Sequence, residues 1–200
     1  MSGFSTQPLD ESTWQAFAQL VERHNGVWGG CWCMGFHHEG FGVDAVEQSA
    51  ARNRANKEAR VLAGTAYAAL VFDGDDCVGW CQFGPPSDLS RIKYRKAYGE
   101  GTGTPPDWRI TCFFVARTHR RQGVAALALG GALTLIAGLG GGRVESSPEA
   151  VEDGRKTSGS FLFNATLSIF EAHGFERVRP IGKHAWLVTA TVRPSAMSPH

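Results

Sequence analysis

The stretch from Arg109 to Leu129 constrains the fold of this chain more than any other. It contains an apolar run, a short basic turn with one glycine, and a second, longer apolar run. This pattern predicts a strand, a tight turn and a helix in succession. The first backbone N–H groups of such a helix lack intrahelical partners and lie at the positive end of the helix dipole. The turn therefore predicts a binding site for an anion such as phosphate.

The residue types in the turn support this interpretation. Gly123 lets the backbone approach a bulky anion, because no side chain stands in the way. Arg120 and Arg121 add positive charge that suits a pyrophosphate, and Ala125 keeps a nearby position small. A basic surface turn before an ordinary core helix is the alternative for the pattern taken alone.

The spacing Arg120-x-x-Gly123-x-Ala125 resembles the Q/R-x-x-G-x-G/A signature of the GNAT superfamily of acyl-CoA-dependent N-acyltransferases. A strand-like segment from Arg143 to Ser147 follows. The segment from Leu167 to Glu176 then looks like the family's late helix, which runs into a Gly-Phe pair. These motifs fall within residues 109–192, which is under half of the chain.

The resemblance implies an α/β fold, in which a central, twisted mixed sheet carries helices on both faces. It also implies that acetyl-CoA is the acyl donor. Main-chain groups of Phe113, Phe114 and Val115 would pair with the pantetheine arm, although Phe113 and Val115 also suit a plain core strand. The residues of the turn would hold the phosphates, namely Arg120, Arg121, Gln122, Gly123, Val124 and Ala125.

Length and composition fit one globular domain, because 200 residues with 42% hydrophobic side chains can bury a substantial core. We expect residues 1–108 to form the acceptor side, 109–192 the acyl-CoA side and 193–200 a tail. An extra helix at about residues 14–21 is expected before the first strand, which we place at 27–38. This helix would depart from the family plan.

The remaining elements follow from periodicity and turn residues. We predict a helix from Val46 to Leu62 with a solvated basic face, strands at 65–72 and 77–83, a short helix within 88–98, a loop at 99–106 that could act as a substrate lid, helices at 124–139 and 164–173, an irregular polar segment at 148–159, and strands at 175–181 and 185–192.

Charge and cysteine content exclude several classes of protein. A net charge of +1 favours neither nucleic acid nor a membrane surface as partner. The five cysteines form no regular framework, and the N-terminus shows no signal segment. The longest apolar run, Val124 to Leu139, is too short to span a bilayer comfortably. We therefore expect a reduced, cytoplasmic protein, and formation of a homodimer stays open.

Acetyl transfer to an amine requires removal of a proton. A lysine-like amine with a pKa of about 10.4 is neutral in only about one part in 10³ at pH 7. Glu145 is the candidate base, because its strand would lie beside the acyl-CoA cleft. A solvated strand glutamate is the alternative interpretation of this residue, and Glu100, Asp107 and His119 are weaker candidates.

The general acid common in the family has no counterpart at the matching position. Aligning Gly174-Phe175 with the family's Tyr-x-x-x-Gly-Phe pattern places Phe170 where a tyrosine would stand. Phenylalanine cannot donate a proton, so we predict that catalysis here does not use that acid. A strict requirement for a nearby residue such as Tyr94 or Tyr98 as the acid would contradict this prediction.

Cys31, Cys33, His37 and His38 could together hold zinc. On an extended strand, however, the two thiols would share one face and the adjacent histidines would point to opposite faces. We therefore expect structural thiols and no metal cofactor. Cys112 lies near enough to the proposed cleft to be of interest.

The sequence thus predicts acetyl transfer from acetyl-CoA to a primary amine of a small molecule or a peptide, by direct attack in a ternary complex. A non-catalytic acyl-CoA-binding sensor would use the same turn. A metal or redox module built on residues 31–38 is a third interpretation.

Overall fold

The computed structural model describes residues 3–27, 30–39, 50–101, 103–151 and 163–196. The seven strands are β1 (Phe4–Pro8), β2 (Tyr67–Asp73), β3 (Asp76–Gly84), β4 (Trp108–Val115), β5 (Gly142–Ser146), β6 (Glu176–Pro180) and β7 (Trp186–Val192). The helices are α1 (Trp14–Arg23), α2 (Ala50–Leu62), α3 (Arg95–Gly99), α4 (Val124–Gly138) and α5 (Leu167–Ala172), with a 3-10 turn at Arg117–His119.

The strands form one sheet in the order β1-β2-β3-β4-β5-β7-β6. Every neighbouring pair is antiparallel except β4 and β5, which are parallel. In the β3–β4 pair, Gln82 lies opposite Cys112 and Phe83 lies opposite Ile110, so Thr111 is an extra residue in β4. Such a bulge bends the strand and increases its local twist.

Helices cover both faces of this sheet. On one face, the Trp80 ring of β3 packs against Phe17 of α1 and stacks on Phe114 of β4. A side chain at Gly79, the neighbouring residue, would collide with Val124 of α4. Successive residues of a strand point to opposite faces, so α1 and α4 lie on opposite sides of the sheet. The predicted mixed sheet with helices on both faces is confirmed.

The N-terminal part of the chain differs from the prediction. The first strand is Phe4–Pro8 and precedes α1, so the expected extra helix before the first strand is wrong. Residues 30–39 form successive turns, and the backbone of Trp32 and Cys33 has φ of 46° and 55°. These left-handed conformations are incompatible with the strand predicted at 27–38. Residues 28 and 29 lie outside the described part of the chain.

The later elements agree with the prediction within a few residues. The β2–β3 hairpin, α4, β5, α5 and the β6–β7 hairpin all occur where the patterns place them. Helix α2 is described from Ala50, so residues 46–49 of the predicted helix lie outside the described part of the chain. The same holds for parts of three other predicted segments, namely 102 of the lid loop, 152–159 of the polar segment and 197–200 of the tail. No helix in the described segments is long and apolar enough to cross a bilayer.

The predicted solvated basic face of α2 is only partly correct, because Lys57 is 1% exposed. Its Nζ lies 3.5 Å from His37 Nε2, which also accepts a hydrogen bond of 3.1 Å from Gln82 Nε2. His37 Nδ1 lies 2.9 Å from the Asp88 carbonyl oxygen, which can only accept, so the ring proton is on Nδ1. Burial, and secondly the Lys57 charge, lower the pKa of His37 to about 2. Burial likewise lowers the pKa of Lys57.

Lys57→Met is therefore expected to stabilise the protein by about 1 kcal/mol or more at neutral pH, because it removes a buried cation that has no carboxylate partner among the described residues. The pKa of Lys57 is lower in the folded than in the unfolded chain. The unfolded chain thus binds more protons between those two values, and stability rises with pH through that window. The substitution should flatten this rise, as measured by chemical denaturation at several pH values.

Lys96→Met, at an exposed position of α3, is the matched control and should leave stability nearly unchanged. A loss of stability in Lys57→Met comparable with that of an ordinary core truncation would show that the lysine instead makes a net favourable interaction.

Candidate functional site

Strands β4 and β5 part soon after they meet. Their parallel pairing covers two residue pairs, Trp108 with Val144 and Arg109 with Glu145. Beyond this point β4 continues to Val115, whereas β5 ends at Ser146. The hydroxyl of Ser146 donates to the Ile110 carbonyl at 2.9 Å and spans the start of the opening. The sheet therefore contains a wedge-shaped cleft, and the edge of β4 that β5 leaves unpaired forms one of its walls.

Main-chain groups of β4 face this cleft at every second residue. The Phe113 N–H points into it and donates to the Phe163 carbonyl at 2.6 Å. Val115, two residues further along, faces the same side, and its carbonyl accepts a bond of 3.4 Å from Arg120 Nε. The Ala116 N–H donates to the Val78 carbonyl of β3 at 2.8 Å, so Phe114, two residues before it, turns its main-chain groups to β3 on the opposite edge. Of the three strand residues predicted to bind the donor, Phe113 and Val115 thus present their main-chain groups to the cleft.

The turn after β4 has the geometry of an anion site. Arg121 and Gly123 adopt left-handed backbone conformations, with φ of 62° and 81°, and α4 begins at Val124. The bond from Leu127 N–H to the Gly123 carbonyl starts the helix. The N–H groups of Val124 to Ala126 donate to no group within the described ranges. They remain available to a ligand at the positive end of the helix dipole.

Space around the turn is sufficient for a bulky anion. Gly123 is exposed, and a Cβ placed on it would meet no atom within 4 Å. Arg120, Arg121 and Gln122 are also exposed, and Gln122 Nε2 donates back to the Thr118 carbonyl. The turn opens onto a groove along α4 that reaches His173 at the end of α5. Charge, free donors and space together fit a phosphate-bearing ligand.

A small cavity lies where β4 and β5 part. Its walls include Phe36, Arg91, Tyr98, Arg109, Thr111 and Glu145. Glu145 is 4% exposed, and both of its carboxylate oxygens accept hydrogen bonds. Oε1 accepts a bond of 2.8 Å from Arg143 Nη2, and Oε2 accepts a bond of 2.9 Å from the Tyr98 hydroxyl. Glu145 is therefore a buried carboxylate, and the interpretation of this residue as a solvated strand glutamate is wrong.

Tyr98 connects the carboxylate to a second arginine. Arg109 Nη2 lies 3.4 Å from the Tyr98 hydroxyl oxygen, and the Arg109 guanidinium lies 5.4 Å from the Tyr98 ring centre. The phenol thus lies between a cation and an anion at the cavity wall. The sequence offers Tyr98 only as one of two nearby tyrosines, with Tyr94, that could prove to be the acid. It does not predict the hydrogen bond to Glu145, because 47 residues separate the two. The only local signal was a tyrosine in the short predicted helix before β4.

The weaker candidates for the base lie elsewhere. Glu100 is exposed after α3, and Asp107 accepts a bond of 2.7 Å from the Arg143 backbone N–H. His119 Nε2 lies 3.4 Å from Asp73 Oδ2 at the end of β2. None of the three lines the cavity that contains Glu145.

Phe170, where the family pattern would place a tyrosine, is fully buried in α5. Its ring contacts Phe113 of β4 and Phe175 in edge-to-face arrangements. The residue is therefore next to the cleft wall but acts as a core side chain.

The cysteines and histidines of residues 31–38 do not converge. Across the described segments, no group of three or more His, Cys, Asp or Glu side chains could hold a metal ion. His37 is engaged by Asp88, Gln82 and Lys57. Burial raises the pKa of Cys31 to about 12, and it likewise raises the pKa of Cys33 well above its ordinary value. The strand geometry expected for this segment is wrong, and the assignment of these cysteines as structural thiols stays a prediction.

Residues 33–161 match the model of the Acetyltransferase (GNAT) family, which covers more than half of the sequence. The chain belongs to the GNAT acetyltransferase family. The resemblance inferred from the turn after β4 is thereby confirmed. Proteins of this family use acetyl-CoA as donor and act on amines of small molecules or proteins. No protein of curated function matches the sequence.

Solved structures of GNAT acetyltransferases share the fold at low identity. The mosquito arylalkylamine N-acetyltransferase like 5b is 12% identical, with a TM-score of 0.55 over 94% of this chain and 100% of that one. The histone acetyltransferase HPA2 and related acetyltransferase from Corynebacterium glutamicum is 15% identical, with a TM-score of 0.52 over 99% of both chains. The yncA protein of Salmonella typhimurium, solved with its cofactor acetyl-CoA, is 13% identical, with a TM-score of 0.50 over 96% of both.

Gly123→Glu is expected to weaken acetyl-CoA binding at least tenfold, because it places a carboxylate and bulk at the free N–H groups of α4. Calorimetric titration with acetyl-CoA measures the effect. Gly140→Glu is the matched control, since Gly140 is also exposed, has φ of +102° and has no atom within 4 Å of the position that a Cβ would take, but follows the other end of α4. Equal affinity in a folded Gly123→Glu variant would rule out this placement of the phosphates.

Proposed function

We propose that this GNAT acetyltransferase moves an acetyl group from acetyl-CoA to a primary amine of a small molecule or peptide. In this proposal both substrates are bound together and the amine attacks directly. The observation that carries it is the cleft between β4 and β5, which has free helix N–H groups at its outer end and a buried carboxylate at its inner end.

The donor would be held by main-chain groups and by the basic turn. Phe113 and Val115 would meet the pantetheine amides, and residues 120–125 would bind the phosphates. When bound, acetyl-CoA supplies an activated thioester. The Phe113 N–H is engaged by the Phe163 carbonyl, so this hydrogen bond must exchange for one to the donor. Because one acceptor replaces another, the exchange leaves the N–H satisfied.

Glu145 would receive the proton of the amine, either directly or through water. Its carboxylate is held by Arg143 and Tyr98 at the wall of the cavity. These two donors fix its orientation, so a proton acceptor stands at a defined place beside the acceptor amine. The Tyr98 hydroxyl already donates to Glu145, so it lies within the same network as the proposed base.

Departure of the thiol would require little help from an acid. A thiol has a pKa of about 8.5, so a thiolate can leave with only partial protonation. A low demand for a general acid agrees with the buried Phe170, whose side chain cannot donate a proton.

Turnover of acetyl-CoA against a panel of primary amines tests the proposal. Release of free thiol and a mass increase of the amine by one acetyl group would support it. Tight acetyl-CoA binding without acetylation of any amine, peptide or protein in the panel would favour the non-catalytic sensor.

Glu145→Gln is expected to lower kcat/KM at neutral pH at least about tenfold and to have a smaller effect at high pH, where free amine is abundant. The measurement is a pH profile of kcat/KM on an identified acceptor, with acetyl-CoA affinity as the check on folding.

Glu11→Gln, at an exposed position before α1, serves as the control, and its pH profile of kcat/KM should match that of the unaltered protein. Phe170→Tyr should change the rate little. Full activity of Glu145→Gln, or a strict requirement for the Tyr98 hydroxyl as an acid, would contradict the assignment.

A further inference from the structure

The cavity beside Glu145 is too small for an acceptor in the state that the structure shows. Its volume is about 30 Å³, which is enough for a water molecule and little more. Glu145 is 4% exposed, and the Tyr98 hydroxyl that donates to its Oε2 covers that oxygen. An amine that carries a substituent therefore reaches this carboxylate only if part of the cavity wall moves.

One wall of this cavity contains no buried residue. It is formed by residues 92–101, here called the α3 segment, which include α3 and contribute Ile92 and Tyr98 to the cavity lining. Every residue of the segment is at least partly exposed, whereas Leu89, three residues before it, is 1% exposed. A segment with few buried contacts opens locally at a lower free-energy cost than the strands of a sheet.

Side chains provide the polar contacts between the α3 segment and the sheet. The main-chain N–H groups of Tyr98 and Gly101 donate within the segment, to the carbonyls of Tyr94 and Tyr98. Among the residues that the structure describes, no main-chain hydrogen bond joins 92–101 to another element. The segment can therefore leave the sheet while the hydrogen bonds between the strands stay intact.

Arg179 of the edge strand β6 holds the later part of the α3 segment. Its Nη1 donates to the Ala97 carbonyl and its Nη2 to the Tyr98 carbonyl, each at 2.8 Å. Both carbonyls belong to the last turn of α3, where carbonyls lack partners within the helix. A Cβ at Gly101 would collide with the Arg179 guanidinium, so the segment fits closely against it. One side chain thus fastens this end of the segment.

Glu149 holds the earlier part of the α3 segment. Lys93 Nζ lies 2.6 Å from Glu149 Oε1, and the Tyr94 hydroxyl donates to the same oxygen at 3.2 Å. Glu149 follows β5 and is 8% exposed. A Cβ at Gly182 would lie 2.8 Å from the Tyr94 ring, so this ring keeps its place only because residue 182 has no side chain.

We propose that the α3 segment is a lid over the inner end of the cleft, that Arg179 is its latch, and that the lid opens to let the acceptor amine reach Glu145. This rests on the proposed function, because it assigns the route by which the acceptor enters the same site. The closed lid and the acceptor compete for one space. The apparent affinity for the acceptor is then reduced to the fraction of molecules in which the lid is open.

Carboxyl labelling tests the lid without any acceptor. A carbodiimide with glycine ethyl ester modifies accessible carboxylates, and peptide mass spectrometry measures the rate at Glu145. Arg179→Met should raise this rate about tenfold or more, as expected for loss of hydrogen bonds from a charged group. Gly182→Ala should also raise it, because the added methyl group displaces the Tyr94 ring at the other end of the lid.

Arg177→Met is the matched control. Arg177 lies on the same strand, but its Nε donates to Glu171 and not to the lid. Its substitution should leave the labelling rate of Glu145 unchanged.

Kinetics with an amine that is turned over test whether the acceptor uses this route. Arg179→Met and Gly182→Ala should each lower the KM of the acceptor severalfold, because more molecules have an open lid. Calorimetric affinity for acetyl-CoA should stay the same, since the phosphate-binding turn lies at the other end of the cleft. Arg177→Met should change neither quantity.

The outcomes separate the lid from the proposed function. Unchanged labelling of Glu145 in both folded variants overturns the lid. Faster labelling with an unchanged KM of the acceptor shows that the acceptor does not enter by this route, and it also overturns the inference. Faster labelling without acetylation of any amine overturns the proposed function and retains the lid as a cover of Glu145.

Discussion

The parallel pairing between β4 and β5 covers only two residue pairs. The cleft between these strands, and the position of the basic turn at its end, depend on this short contact. Antiparallel pairing with β3 fixes the other edge of β4 along nearly its whole length. The bulge at Thr111 adds twist close to the point where the strands part. The edge of β4 that β5 leaves unpaired is therefore supported by β3 from the other side, and the same strand leads directly into the turn and α4. The early separation of β4 from β5 thus creates the cleft. Because β4 continues into the turn and α4, the anion site lies at the end of that cleft.

Charge is distributed unevenly along this cleft. Exposed arginines and free helix N–H groups surround its outer end, and a network of Arg143, Glu145, Tyr98 and Arg109 lies at its inner end. The inner network is partly buried, so its interactions are less screened by salt than those at the turn. Binding of an anionic donor should accordingly depend more on ionic strength than the proton chemistry does.

Local sequence patterns predicted the elements whose stability is largely local or whose periodicity is strong, such as α4 and the β2–β3 hairpin. They failed where tertiary contacts decide the structure. Strand β1 has mostly exposed side chains and ends in a proline, so only its pairing with β2 marks it as a strand. Lys57 looked like part of a solvated basic face and is instead enclosed beside His37. Glu145 was found from its place after α4, whereas its partner Tyr98 depends on a contact across 47 residues that no local pattern encodes.

A crystal structure of the complex with acetyl-CoA tests the central claim most directly, namely that the parted strands hold the donor. We predict that the pantetheine arm lies between β4 and β5, that the Phe113 N–H exchanges the Phe163 carbonyl for an oxygen of acetyl-CoA, and that the pyrophosphate contacts the N–H groups at 124–126. A donor bound elsewhere, with the hydrogen bond between Phe113 and Phe163 intact, would contradict it.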